Sequence, residues 1–186
     1  IAHEDTGGHS GLLKAGGIQI MSAGAGVLHK ETVFPDKKLA DAFQLWVALP
    51  SEKMEMGKVE YSTAQINELP VVDKSGVKTK VVVGRFEGVQ SSVTAPVAMT
   101  YLHVHIDSNK TWEYCAPKEQ TTALIYVKTG KVLTGGVEIS NGELGVFESQ
   151  ADVIDITSPD SAAEFVVITG KPLNQEIISN GSSVHS

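Results

Sequence analysis

Short runs dense in valine, isoleucine, threonine and aromatic residues fill most of the chain, and a turn-forming residue stops nearly every one. They read "GIQIMSA", "AFQLWVALP", "TKVVVGRF", "AMTYLHVHI", "TTALIYVKTG", "KVLTGGVEI", "LGVFES", "DVIDITS" and "AEFVVITG". Between them stand Gly7-Gly8, Gly16-Gly17, Asn109, Gly130, Asn141-Gly142, Ser158-Pro159 and Gly170-Lys171-Pro172. β-Branched and aromatic side chains fit a pleated, half-buried surface, while glycine, asparagine and proline supply the turn geometries. Many short strands at fairly even spacing predict an all-β sandwich or barrel. The spacing predicts one helix, over residues 62–69, with Ser62 as its cap and Pro70 as its stop.

The helix marks a break in organisation. A polar stretch precedes it and a new strand series follows, so residues 51–70 are expected to link a β unit over 1–50 to a longer one over 71–186. Residues 71–186 hold enough strands to close a barrel. Residues 1–50 do not, and too few strands leave open edges. Such edges make dimerisation or strand exchange an expectation.

The 186 residues can bury a sizeable core, and the net charge of -7 excludes a strong phosphate-backbone footprint. Basic residues come singly or in pairs such as Lys37-Lys38, with no stripe, so no direct nucleic-acid contact is expected. No apolar run approaches the roughly 20 residues of a membrane-spanning helix. A single cysteine, Cys115, permits no internal disulfide, which points to a reducing, cytoplasmic setting and to a buried structural thiol. The chain opens on Ile1 rather than Met, and its start is expected to lie upstream.

In a strand, residues i and i+2 share a face. Within "MSAGAGVLHKE", His29 and Glu31 are therefore delivered into one space, the pairing by which an all-β scaffold presents ligands to a divalent metal. On spacing alone, a solvent-facing polar pair is the favoured reading, because a two-residue motif of this kind is common. His3 and His9 lie in the same unit and are read as structural, with ligation the lesser reading. His103 and His105 also share a face, opposite Leu102, Val104 and Ile106, and read as a surface pair on a strand with an apolar inner side. Serine-nucleophile and phosphate-loop motifs do not appear.

The block "GGIQIMSAGAGVLHKE", followed by "FQLWVALP" and "ELPVV", resembles the pirin family of bicupins. Gly17, Gln19, Met21, Ala23, Gly24, Gly26, His29, Glu31, Gln44, Leu45, Trp46, Val47, Leu49 and Pro50 carry the likeness. "AHEDTGG" resembles the family's His-x-Asp strand and turn, and "YVKTGKV" with "ITGKPLNQEII" resembles its C-terminal cupin. The resemblance implies two cupin-type β-barrels, with a metal held in the N-terminal one by three histidines and a glutamate. His29 and Glu31 match one histidine and the glutamate. The family's His-Pro-His motif occurs nowhere in this sequence, so the resemblance implies an incomplete N-terminal barrel and half of a metal site.

The activity implied is that of a quercetin 2,3-dioxygenase, opening a flavonol ring with dioxygen. Its metal would be a divalent first-row ion, iron foremost, with copper, nickel or manganese as alternatives. On that reading His29 is a ligand, Glu31 is both ligand and catalytic base, and Met21, Val27 and Trp46 wall the pocket. The family equally implies a non-enzymatic regulator that binds a protein partner, or an inactive remnant.

Overall fold

The computed structural model describes residues 1–34, 40–50, 54–148, 153–181 and the backbone of 183–185. Lys37 and Lys38, and residues 51–53 of the expected linker, lie outside the described residues. The chain is all-β and divides into two units, one of 1–68 with 173–186 and one of 69–172.

The second unit is organised by alternation. Strand β10 (Met99–Ile106) buries Leu102, Val104 and Ile106 completely and turns Tyr101, His103 and His105 the other way. It sits inside a six-stranded sheet with β6 (Val71–Lys74), β7 (Val77–Val83), β12 (Thr122–Thr129), β15 (Leu144–Phe147) and β17 (Ala163–Gly170), in the order β15-β12-β17-β10-β7-β6. A four-stranded sheet comprises β11 (Lys110–Cys115), β13 (Lys131–Thr134), β14 (Val137–Ser140) and β16 (Val153–Ser158), in the order β11-β16-β13-β14. A small ribbon, β8 (Arg85–Phe86) with β9 (Val89–Gln90), completes the unit.

Both sheets feed one core, in which Leu102, Ile125 and Phe165 meet Trp112, Val132 and Ile156. The aromatic centre is stacked, with Trp112 lying 5.7 Å from Phe86 and 5.8 Å from Tyr114 between ring centroids. The indole N–H of Trp112 donates to Thr79 Oγ1 at 2.9 Å, which satisfies the one polar group that the ring carries inside. The run "KVLTGGVEI", read as a single strand from sequence, folds back on itself. Gly135 and Gly136 both take positive φ, as a two-residue type I′ hairpin turn demands.

The first unit has a different economy of burial. Its strands are β1 (Ala2–Asp5), β2 (Ser10–Leu12), β3 (Ile18–Ser22), β4 (His29–Thr32), β5 (Glu60–Ala64), β18 (Ile178–Asn180) and β19 (Ser183–His185). They form a three-stranded sheet β2-β1-β4 and two ribbons, β3-β5 and β18-β19, so no closed barrel exists among the described residues. Of its described side chains, only His3, Ser22 and Ala64 are buried, whereas Leu12, Leu28, Phe34, Phe43 and Trp46 are exposed.

Several sequence expectations are corrected here. The helix over 62–69 is instead the end of β5 and one 3-10 turn, Ile66–Glu68. β3 offers Ile18–Ser22 as a pairing edge to Glu60–Ala64, and sheet hydrogen bonds override the local helix signal. Residues 60–64, expected in the linker, thus belong to the first unit, as does the tail from Leu173. The strand expected over 42–50 has no regular structure, since no described strand pairs with it. Cys115 is exposed rather than buried: Trp112 and Tyr114 take the inner face of β11, which leaves Cys115 on the outer one.

Candidate metal centre

The register of β1 against β4 assembles the site. His3 stands opposite Glu31 and Asp5 opposite His29, so two i, i+2 pairs face one another across the ladder. Directly opposed residues in an antiparallel pair share a face, and the contacts agree. The rings of His3 and His29 stack with centroids 5.8 Å apart, and His3 Nδ1 lies 3.8 Å from Glu31 Oε1. His29 and Glu31 are therefore brought together on one side of the sheet, both of them exposed.

Asp5 anchors the cluster from beneath. Its side chain is wholly buried, with Oδ2 at 3.0 Å from His3 Nε2. Its Oδ1 accepts from the His9 backbone N–H at 3.0 Å and lies 3.1 Å from His9 Nδ1. Burial opposes ionisation of Asp5, but the hydrogen bonds from His3 and His9 outweigh it and hold the carboxyl well below the usual carboxylate range. The Asp5 carboxylate accepts from the His3 Nε2–H. His3 Nδ1, also buried, has no hydrogen-bond partner.

A second wall comes from β3 and β5. Met21 pairs with Tyr61 and Gln19 lies two residues before it, so all three share a face of the ribbon. Tyr61 stacks on His3 with centroids 4.5 Å apart, and its hydroxyl donates to Gln19 Oε1 at 3.1 Å. Gln19 Nε2 in turn donates to Glu31 Oε1. Burial first, and then the charges of Glu31 and Asp5, push the Tyr61 phenol up. Gly11 makes room for this ring, because a Cβ there would meet the Tyr61 hydroxyl at 2.9 Å.

Of the expected pocket wall, Met21 lies on the ribbon face with Gln19 and Tyr61, and Val27 is half-buried in the turn before β4. Trp46 is 59 % exposed. Sequence reasoning assigned no role to Asp5, Gln19 or Tyr61. The i, i+2 spacing of His3 and Asp5 in "AHED" is the same signal as that of His29 and Glu31. Tyr61 was hidden in the expected linker.

Among the described residues, no three His, Cys, Asp or Glu side chains yet stand around a common point. Of the donors on this face, the exposed His29 imidazole and Glu31 carboxylate are of the kinds that a first-row divalent cation takes, while His3 Nδ1, which has no hydrogen-bond partner, lies 3.8 Å from Glu31 Oε1. In the second unit, His103 and His105 face away from the core, and His103 Nε2 bonds Glu164 Oε1 at 2.7 Å. That unit also holds an open cavity of about 320 Å³ beside Thr79, Phe86 and Trp112, rimmed by Lys74, Lys110 and Glu113.

An all-β chain of two cupin-type units, the N-terminal one open, defines a bicupin. Residues 1–47 match the pirin family model, and residues 101–186 match the model of the pirin C-terminal cupin domain. Human pirin is 31% identical over 189 residues, covering 99% of this chain and 64% of its own length. A Pseudomonas aeruginosa protein, described as a candidate quercetin 2,3-dioxygenase, is 30% identical, covering 98% of this chain and 66% of its own. The crystal structure of a quercetin 2,3-dioxygenase from Acinetobacter baumannii superposes with a TM-score of 0.85 at 26% identity, over 99% of this chain and 65% of that one. A bacterial pirin from Escherichia coli, solved in complex with nickel(II), shares the fold at 16% identity and a TM-score of 0.61, over 92% of this chain and 68% of that one. The chain belongs to the pirin family. It spans about two thirds of the length of these relatives.

Proposed function

We propose that the chain binds a divalent first-row metal through His29 and Glu31 and takes part in oxygenation of a flavonol-like substrate, as in quercetin 2,3-dioxygenases. The observation that carries this reading is the cross-strand quartet His3–Glu31 and Asp5–His29, which gathers imidazoles and carboxylates on one face. Two relatives named for that activity support the same substrate class.

When bound, the ion would supply Lewis acidity toward the substrate hydroxyl and redox access to dioxygen. The chain's own residues do the rest. Glu31 is the base that would take the proton of such a hydroxyl at a carboxylate oxygen. Gln19 holds Oε1 of that carboxylate, and the Tyr61 hydroxyl fixes the Gln19 amide, so the base is oriented by two successive hydrogen bonds. Met21 offers apolar surface to a flat aromatic substrate.

The test is oxygen uptake with a flavonol after loading with iron, copper, nickel or manganese, with occupancy confirmed by elemental analysis. Turnover in the loaded protein that falls by at least about 100-fold in Glu31→Gln is expected, the size typical of a lost general base. No turnover at full occupancy would remove the enzymatic reading.

A further inference from the structure

We propose that the open cavity of the second unit binds a small hydroxylated aromatic carboxylate, its ring against Trp112 and Phe86 and its carboxylate at Lys110. The cavity is lined entirely by residues of that unit, so the proposal is independent of any metal in the first.

Strand alternation sets out the walls. Along β11, Lys110, Trp112 and Tyr114 share one face. Trp112 and Tyr114 are buried there, and Lys110 is exposed at the start of the strand, so its ammonium stands at the mouth of the space that the indole lines. Along β7, Val77, Thr79 and Val81 form the buried face, and Thr79 puts a hydroxyl where the pattern calls for an apolar group. Phe86 lines the cavity as well and lies nearly parallel to Trp112, with 13° between the ring planes. A volume of about 320 Å³ suits one substituted ring.

Two observations point to the chemistry of the occupant. The first is an unspent donor. Thr79 is 1% exposed, its Oγ1 accepts from the Trp112 indole N–H, and its own O–H meets no acceptor among the described residues. A hydroxyl carries one donor hydrogen, and burial normally demands that it be used. Because Thr79 lines the cavity, an oxygen of a bound molecule can take it. Further along the same face of β11, the Tyr114 hydroxyl is buried and also lacks a partner. The second observation is charge. Lys74 at the rim is held by Glu87 at 2.5 Å, whereas Lys110 makes no ion pair among the described residues. Glu113 borders the cavity too, but it takes the outward position between Trp112 and Tyr114. An unpaired ammonium beside an aromatic wall selects a carboxylate joined to a ring.

The experiment titrates the isotope-labelled 186-residue chain with para-hydroxybenzoate and follows the indole N–H resonances of its two tryptophans by NMR, assigned with Trp46→Phe. The Trp112 resonance should shift saturably while that of Trp46 stays in place. Para-hydroxybenzamide keeps the ring and hydroxyl but loses the charge. It should bind at least about 10-fold more weakly, as should para-hydroxybenzoate to Lys110→Gln, the size of a lost hydrogen bond to a charged group. Benzoate, without the hydroxyl, should bind several-fold more weakly. No saturable shift at Trp112, or a shift at Trp46 alone, would overturn the site. Undiminished affinity for the benzamide, or in Lys110→Gln, would overturn the carboxylate assignment, and undiminished affinity for benzoate would overturn the contact with Thr79. The three ligands are compared on the wild-type chain, so the outcome does not depend on any variant folding.

Discussion

His103 stands on the outer face of β10, with Nε2 at 2.7 Å from Glu164 Oε1, and Lys128 Nζ reaches the same oxygen at 3.3 Å. Burial, aided by Lys80 and Lys128, keeps the imidazole below its ordinary value of 6.5 despite the carboxylate. Burial raises Glu164, but the bonds from His103 and Lys128 win and set it below 4.5. At both positions the unfolded chain binds the proton more readily, so acidification favours unfolding. That stability is complete above about pH 6.5 and declines first through His103, then through Glu164 below 4.5. The urea midpoint of the second unit should fall between about pH 7.5 and 5.5, and His103→Gln should remove that fall. Thr79 is simpler. Thr79→Val keeps the shape but strands the buried Trp112 N–H, at a cost of roughly 1–3 kcal/mol measured by denaturant unfolding. At this scale the sequence was half legible. His29 and Glu31 declare themselves by spacing within one strand, whereas the placement of His3 opposite Glu31 depends on strand register, which no local pattern contains.

Elements explain which glycines matter. Gly24 takes a φ of 53°, and a Cβ there would run into the Gly57 carbonyl oxygen. The neighbouring Ala25 N–H donates to that same oxygen at 3.1 Å. The "AGAG" segment is thus glycine-rich because two backbones meet, and the meeting leads the chain into β4 with His29 in register. Gly24→Ala should cost about 1–2 kcal/mol from the left-handed backbone, with the clash adding to it. The variant should also weaken metal uptake, read by titration calorimetry with copper(II). Strands with a buried partner on each side, such as β10 between β7 and β17, were legible because alternation is enforced along their whole length. β5 was not. "YSTAQINEL" satisfies helix capping locally, and only the edge of β3 decides otherwise.

At the scale of the molecule, the two units differ in what stabilises them. The second has a core built around Phe165, completely buried, and Phe165→Ala should cost about 3–5 kcal/mol there. The first has few buried apolar groups among its described residues, so an ion bound at its β1–β4 face would be a large fraction of its stability. Ligand at about 100 times its dissociation constant adds about 2.7 kcal/mol to whatever binds it only when folded. The chain's two tryptophans separate the readouts, since Trp46 is exposed in the first unit and Trp112 is 4% exposed in the second. Copper(II) or nickel(II) should raise the unfolding midpoint seen through Trp46, tested with Trp112→Phe. The midpoint seen through Trp112, tested with Trp46→Phe, should not move. The outward position of Cys115 on β11 has a practical side. With one thiol per chain, and that one reachable by solvent, maleimide dyes or spin labels can be attached at a single defined point without mutagenesis. Storage without reductant should yield covalent pairs of chains through that sulfur and no larger species.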